Sequence, residues 1–209
     1  MKNEKIVATL VEYAHKLAGE KVCGIKDMIA MRSGSAMYVT KAGVGFASLV
    51  DSDVDVVELD KAEGEYKLFA DVFKAREDIK AVCHCYPAWI APLAKVGATI
   101  PAVLDDMAQI VGPTCKTSKN DSASIIKTLK GRNSCLIKED GCLTSGRTMD
   151  EAYTCVLVLD KAAHCYVSSA VIGKNKIING LEARLMRFVY KVKYSKKNQE
   201  NLKSAEGEV

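Results

Sequence analysis

The 209-residue sequence has few of the residues on which several specialised protein classes depend. Aromatic residues make up 6% of the chain, and there are only one tryptophan, four prolines and three histidines. No run of about 18 uncharged apolar residues occurs, because Asp160, Lys161 and His164 interrupt the apolar stretch near them, and this excludes a membrane span. Glu4 and Glu12 interrupt the N-terminal apolar pattern, so we expect no secretory signal and a cytoplasmic protein.

The eight cysteines are dispersed, and no CxxC pair is present. Structural zinc sites and iron–sulfur clusters need thiolates that lie closer together in the sequence. We therefore interpret most of these cysteines as small apolar side chains buried in the protein core, as is typical of a reducing compartment.

The composition that remains is that of an ordinary globular protein, with 48% apolar and 27% charged residues. This length is sufficient for one domain with a substantial core, and one domain is what it predicts. We predict one domain over residues 1–175, with residues 176–209 forming a basic C-terminal helix and tail packed on it.

The net charge of +4 is concentrated near the C-terminus, where nine basic and two acidic residues lie between Lys174 and Lys203. A basic helix of this kind is compatible with binding to nucleic acid or anionic lipid. No stacking aromatics alternate with the charges, which disfavours binding of single-stranded nucleic acid. We interpret the segment instead as a helix that docks on the domain through apolar residues at helical spacing: Ile177, Ile178, Leu181, Leu185, Phe188, Val189 and Val192.

Hydrophobic periodicity and turn residues predict a mixture of helices and strands. Helical patterns cover residues 4–19, 65–76 and 88–96, and strand patterns cover residues 27–32, 36–40, 54–59 and 81–86. Residues 134–146 are typical of a hairpin around Asp140-Gly141, and a Thr148–Glu151 capping box begins a long helix. Strands joined by both tight turns and helices predict a three-layer α/β/α sandwich with a central mixed, largely antiparallel sheet.

His84 is the histidine whose position best fits a site, because it lies near the end of an apolar strand that stops at Pro87. Side chains two apart on a strand face the same way, so His84 and Tyr86 share one face while Cys83 and Cys85 take the other. The spacing predicts His84 and Tyr86 as a site-facing pair.

Several short segments follow one another in a distinctive order. They are Arg32, Thr40-Lys41-Ala42-Gly43, Glu65 at the head of a helix, residues 78–87 around His84, Ile100-Pro101, Gly112, and Asp140-Gly141 followed by Thr148 and Glu151. This order resembles the class II aldolase/adducin family, which contains fuculose-1-phosphate aldolases and the adducin head domain. The resemblance covers about residues 4–172.

The resemblance implies a zinc ion held by three histidines beside a glutamate that moves a proton. At the positions of the three ligands this sequence has His84, Tyr86 and Asp140. Imidazole, phenolate and carboxylate donors together favour manganese or iron over zinc. We expect an altered site for a divalent metal, with zinc as in the family or manganese or iron as alternatives, or a site without metal.

The same resemblance implies roles for other residues. Glu65 matches the catalytic glutamate, and Arg32, Thr40 and Gly43 match substrate-binding positions. Glu63 stands where the family has a phosphate-binding serine, and its negative charge would repel a phosphate. We therefore expect a substrate without a phosphate group.

Together these observations predict a divergent lyase or isomerase that acts on a small hydroxy-carbonyl, sugar-like substrate. The alternative is a catalytically inactive binding or scaffold member of the family. The resemblance also implies a homo-oligomer, a tetramer in the family, and we expect no membrane or nucleic-acid partner. Tyr190 and Tyr194 match a tail that could reach a neighbouring subunit, although surface tyrosines are the favoured interpretation.

Overall fold

The structure is a computed structural model that describes residues 3–24 and 26–206, with side chains described as far as residue 193. Within these residues the helices are α1 (Glu4–Gly19), α2 (Lys67–Ala75), α3 (Ile90–Lys95), α4 (Ser122–Thr128), α5 (Met149–Val171) and α6 (Gly180–Glu206). The strands are β1 (Met28–Ser33), β2 (Ala36–Thr40), β3 (Val54–Glu58), β4 (Ala81–Cys85), β5 (Thr99–Pro101), β6 (Thr114–Ser118), β7 (Ser134–Ile137) and β8 (Cys142–Gly146).

The strands form one sheet in the order β3-β2-β1-β4-β8-β7-β6-β5. The β6–β7 pair is parallel, and the other neighbouring pairs are antiparallel. Met28 at the start of β1 lies opposite His84 near the end of β4, and Cys85 lies opposite Cys142 at the start of β8. The sheet is mixed and largely antiparallel, as the sequence predicted.

Two apolar cores lie on opposite faces of the sheet and give the molecule three layers. One core contains residues of α1, α3 and α5, and the other contains residues of α2 and α4. The alternation of side chains along β4 follows this division, since Cys83 and Cys85 belong to the first core and Val82 to the second. His84 lies on the same face as Val82, where its ring contacts Phe69. The predicted three-layer α/β/α sandwich is confirmed.

The long helix α5 begins where the capping box predicted. Thr148 is the N-cap, and its hydroxyl accepts a hydrogen bond of 3.1 Å from the backbone N–H of Glu151. The Glu151 carboxylate in turn accepts a bond of 2.8 Å from the backbone N–H of Arg147. These contacts satisfy backbone donors that the first helical turn leaves without partners.

The C-terminal helix α6 docks through a different face from the one that the sequence indicated. Ala183 is fully buried and Arg187 is 6% exposed, whereas Leu185 is 62% and Phe188 65% exposed. The interpretation that α6 docks through its large apolar residues is therefore wrong. The small Ala183 packs beside Ala102 and Ala108, and the Arg187 guanidinium donates to backbone carbonyls beneath the helix.

No helix in the described part of the chain is both long and apolar enough to cross a membrane.

Candidate active site

An open cavity of about 440 Å³ lies where β1 begins and β4 ends. Side chains from well-separated parts of the chain line it, and five of them are residues that the sequence singled out. The lining consists of Lys26, Met28, Ala42, Gly43, Gly64, Glu65, Leu68, His84, Tyr86, Asn120 and Asp140. This volume lies within the range of small-molecule sites, about 300 to 1,000 Å³.

His84 is held by the backbone of the turn opposite it. Its Nε2 lies 2.8 Å from the carbonyl oxygen of Asp140 and 3.6 Å from an oxygen of the Asp140 carboxylate. A carbonyl oxygen can only accept, so Nε2 carries a proton and donates it to this carbonyl. Burial lowers the pKa of His84, while the hydrogen bond and the charge of Asp140 act in the other direction. The imidazole is therefore neutral at pH 7.

Tyr86 and Asp140 form the second part of the cluster. The Tyr86 hydroxyl donates to Oδ1 of Asp140, and the side-chain amide of Asn120 donates to Oδ2 over 3.2 Å. Burial raises the pKa of Tyr86 far above its ordinary value, and the hydrogen bond and charge of Asp140 raise it further. The phenol therefore keeps its proton at any physiological pH.

A tight turn between β7 and β8 places Asp140 against the end of β4. Gly141 has a φ of 72°, in the left-handed region that favours glycine. A Cβ at this position would lie 2.3 Å from the carbonyl oxygen of Cys85 and 3.0 Å from the Tyr86 ring. The absence of a side chain at Gly141 is thus what allows Asp140 to reach both His84 and Tyr86.

Asp27 does not line the cavity, but it binds the backbone of Tyr86 and so supports the cluster. Its fully buried carboxylate accepts hydrogen bonds from the backbone N–H of Gly24, over 2.8 Å, and of Tyr86, over 3.2 Å. Burial raises the pKa of Asp27 to about 7, although the hydrogen bonds from Gly24, Tyr86 and Cys85 oppose this shift. Asp27 therefore connects the loop before β1 to the end of β4.

Glu65 and Gly43 lie on another wall of the same cavity. Glu65 is in the short turn Gly64–Tyr66 that leads into α2, and its side chain is exposed. Lys26 and Asn120 also line the cavity, and sequence reasoning missed both. Lys26 directly precedes the strand predicted over residues 27–32. It lies outside the alternating pattern of that strand, so the sequence did not indicate on which face of the sheet its side chain would lie.

Two predicted substrate-binding side chains lie elsewhere. The Thr40 hydroxyl is fully buried and is bonded to the backbone N–H and carbonyl of Ile29. Arg32 lies four residues along β1 from Met28, roughly 13 Å at about 3.3 Å per residue, and its guanidinium donates to the carbonyls of Gly34 and Phe73. Neither side chain lines the cavity, and the substrate-binding roles that the resemblance implied for Thr40 and Arg32 stay predictions.

A family profile described as the Class II Aldolase and Adducin N-terminal domain matches residues 10–167. The chain belongs to this family. Two relatives are a 5-methylthioribulose-1-phosphate/5-deoxyribulose-1-phosphate aldolase of Rhodospirillum rubrum and the decarboxylase NovR of Streptomyces niveus. The first is 22% identical over 74% of this chain and 76% of its own length. The second is 25% identical over 67% of this chain, which spans 58% of that relative.

Solved structures of class II aldolases share the fold. An L-fuculose 1-phosphate aldolase superposes with a TM-score of 0.85 at 20% identity, covering 91% of this chain and 98% of the other. The L-fuculose-1-phosphate aldolase of Thermus thermophilus superposes with a TM-score of 0.73 at 15% identity, covering 84% of this chain and all of the other. At these identities the likeness establishes the architecture, and the chemistry depends on the side chains of this chain.

Class II aldolases typically depend on a divalent metal, and the residues of this chain do not fit one. Ligands must be deprotonated at the donor atom, and the hydroxyl of Tyr86 and Nε2 of His84 carry protons that they donate to Asp140. This leaves Nδ1 of His84 and the carboxylate of Asp140 as donors, fewer than the three protein ligands of a catalytic metal site. Among the described side chains, no group of three His, Cys, Asp or Glu residues is placed to hold a metal ion. The three predicted ligands lie together, as expected, but as a hydrogen-bonded cluster.

The residues of two further predictions lie outside this cavity or outside the described side chains. Glu63, which we expected to repel a phosphate, is exposed and does not line the cavity. Tyr190 lines a different cavity, beneath α6, and the side chain of Tyr194 lies outside the described residues.

Proposed function

We propose that this chain is an aldolase-type lyase or isomerase that acts on a small hydroxy-carbonyl compound. The observation that supports the proposal is the convergence of Gly43, Glu65, His84, Tyr86 and Asp140 on one open cavity of about 440 Å³. These residues come from separate segments, and polar groups that converge on one cavity are the usual mark of a ligand-binding or active site. The size suits a substrate of a few carbon atoms.

The proposed chemistry is transfer of a proton from the carbon next to a carbonyl group. Glu65 has an exposed carboxylate on the cavity wall, and we assign it the role of base. Removal of that proton places negative charge on the carbonyl oxygen, which needs a positive group or a hydrogen-bond donor nearby. Lys26 is the cationic side chain among those that line the cavity, and we assign it this role.

The proposal uses no metal-bound step, because the cluster of His84, Tyr86 and Asp140 does not fit a metal. A metal-dependent form, with manganese or iron on these three residues, would require the Tyr86 proton to leave and its hydrogen bond to Asp140 to open, and His84 to bind through Nδ1. The burial that raises the pKa of Tyr86 opposes this change. The hydrogen-bonded cluster instead forms a polar wall for a hydroxyl-bearing substrate.

A second candidate is a family member that binds a ligand without catalysis. The observation that favours it is the same closed cluster, since the His84 and Tyr86 protons are already engaged by Asp140. Under this candidate the cavity binds a hydroxy-carbonyl compound, and Glu65 abstracts no proton. Binding and exchange experiments separate the two.

We also propose that the chain works as a homo-oligomer, as members of the family generally do. The exposed apolar face of α6 supports this proposal, because Leu181, Leu185 and Phe188 are 77%, 62% and 65% exposed. An apolar stripe of this kind is typical of a surface that another protein covers. A tetramer is the form that we propose.

The test is solvent deuterium exchange, followed by NMR, with hydroxyacetone, dihydroxyacetone and glycolaldehyde as probes. We expect the chain to exchange the carbon-bound protons next to the carbonyl, and Glu65→Gln to slow this by about 100-fold or more, which is typical of loss of a general base. Glu63→Gln is the matched control, because it removes the same charge two residues away at a position that does not line the cavity.

Each outcome bears on one of the candidates. Binding of a probe without exchange in the unaltered chain would support the inactive family member and contradict the enzyme. Equal losses in Glu65→Gln and Glu63→Gln would remove Glu65 from the mechanism. We expect exchange to survive dialysis against a chelator; loss of exchange that manganese or iron restores would show that the metal-free form is wrong.

A further inference from the structure

A second cavity, of about 260 Å³, lies at the other end of the β4–β8 strand pair from the candidate active site. Gly146 lines it and is paired with Ala81, whereas Cys85, which lies between His84 and Tyr86 of the first cavity, is paired with Cys142. Four residues of strand separate the two ends, roughly 13 Å at about 3.3 Å per residue. The family comparison and the proposed chemistry leave this second cavity without a role.

The lining of the second cavity carries more positive than negative charge. Its charged residues are Arg147, Arg187 and Lys191 against Asp78 and Glu151. Both carboxylates are already bound by arginines. Arg76 holds Asp78 through two bonds of 2.7 Å, and Arg147 holds Glu151 through bonds of 2.7 and 3.1 Å.

Arg187 is the cation that is most firmly fixed. It is 6% exposed, and its guanidinium donates to the carbonyls of Gly131, Gln109 and Ile110 at 3.0 to 3.1 Å and to the side chain of Asn133 at 2.8 Å. These partners are neutral, so they hold the guanidinium in place without cancelling its charge. A buried charge without an opposite charge is costly, and a bound anion would offset that cost.

Lys191, one turn along α6 from Arg187, faces the same cavity. Burial lowers the pKa of Lys191, and the charges of Arg187, Arg76 and Arg147 lower it further, while Asp78 acts in the other direction. The cations around the cavity therefore repel one another. An anion between them would be attracted by all of them at once.

We propose that the second cavity is a binding site for a small phosphate-bearing anion, held by Arg187, Lys191 and Arg147. A volume of about 260 Å³ lies just below the range of drug-sized ligands, about 300 to 1,000 Å³, and suits inorganic phosphate or a short phosphate ester. The guanidinium groups of Arg187 and Arg147 are already engaged by protein acceptors, so they contribute fixed positive charge, and the ammonium of Lys191 supplies the direct contact to the phosphate oxygens. The proposal is independent of the function assigned to the other cavity.

The test is calorimetric titration of the full chain at low ionic strength with inorganic phosphate and, separately, with glycerol phosphate. We expect saturable binding of one anion per chain, and about tenfold weaker binding in Lys191→Gln. Lys193→Gln is the matched control, because Lys193 is an exposed lysine on the same helix that does not line this cavity. The control should bind as the unaltered chain does.

Lys191→Arg provides a second check that holds even if Lys191→Gln fails to fold. It keeps the positive charge, so it should keep the affinity for phosphate. Binding of phosphate itself would identify the free anion as sufficient, and binding of the ester alone would identify an ester site. Absence of saturable heat with both probes would overturn the proposal. Equal weakening in Lys191→Gln and Lys193→Gln would also overturn it, because general surface charge would then explain the binding.

Discussion

Single residues hold the candidate active site in its arrangement through buried polar contacts. The Asp140 carboxylate accepts from Tyr86 and Asn120 while its backbone carbonyl accepts from His84. Asp27 ties the Tyr86 backbone to the loop before β1. Because buried polar groups without partners are costly, each of these residues fixes the position of the others.

We expect Asp27 to make folding stability depend on pH. Its pKa is raised from 3.8 to about 7, so between these values the folded chain binds a proton that the unfolded chain has released. The contribution of Asp27 to stability should therefore be fully present below about pH 4 and be lost as the pH rises to about 7, by about 4 kcal/mol at about 1.4 kcal/mol per pH unit. Denaturant unfolding at several pH values measures this change.

The matched comparison for this prediction is Asp27→Asn against Asp105→Asn, which alters an exposed aspartate. The first substitution should flatten the pH dependence, and the second should leave it as it is. A profile with the same slope in Asp27→Asn and the unaltered chain would assign the pH dependence to other groups.

At the scale of elements, the β7–β8 hairpin delivers Asp140 to the end of β4. The sequence predicted this hairpin because Asp140-Gly141 is a strong turn signal. It did not indicate that Gly141 would lie against the carbonyl of Cys85, which depends on how β8 pairs with β4. Glycine at position 141 therefore meets two requirements: the positive φ of the turn and the close approach of the turn to Cys85.

We expect Gly141→Ala to destabilise the protein by about 2 to 4 kcal/mol, from the positive φ and from displacement of the turn by a Cβ that would contact Cys85. The same change should reduce ligand binding at the first cavity, because Asp140 would move away from His84. Denaturant unfolding and titration with the hydroxy-carbonyl probes measure the two effects.

Gly34→Ala is the control for the hairpin prediction. Gly34 also lies in a hairpin turn with a positive φ of 61°, but a Cβ there would meet nothing within 4 Å. Its substitution should cost about 1 kcal/mol, from the backbone conformation alone. Similar losses for the two glycines would show that contact with Cys85 contributes little.

At the scale of the whole molecule, α6 presents an apolar stripe that nothing in the described part of the chain covers. Leu181, Leu185, Phe188 and Val192 follow one another at intervals of four, three and four residues. This spacing is typical of a seam between helices. A second copy of the chain would cover the stripe with residues of the same kind.

We expect the chain to have a mass in solution of four times 22.7 kDa, and Leu185→Glu to lower it by placing a charge in the seam. Lys116→Glu changes an exposed charged residue of β6, outside α6, and should leave the mass unchanged. Light scattering after size exclusion measures both. A monomeric unaltered chain, or a Leu185→Glu variant of full mass, would contradict the seam.

Elements with strong periodicity were predicted close to their observed bounds. The first helix, the strands β1 to β4 and the cap of α5 belong to this group, because local patterns of apolar and turn residues suffice for them. The segment that forms β5, β6 and α4 had no assignment. β5 has only three residues, and β6 (TCKTS) and α4 (SASIIKT) contain few large apolar residues. No apolar periodicity therefore marks them in the sequence.

The sequence alone determined the family, the layered fold and the shared face of His84 and Tyr86, because motif order and strand alternation are local properties of a chain. Only the tertiary structure decided that these two side chains donate their protons to Asp140, that Lys26 enters the same cavity, and that Arg32 and Thr40 stay outside it. The docking face of α6 was likewise decided by tertiary packing, since a small alanine and a carbonyl-bound arginine fit the surface beneath it more closely than larger apolar residues do.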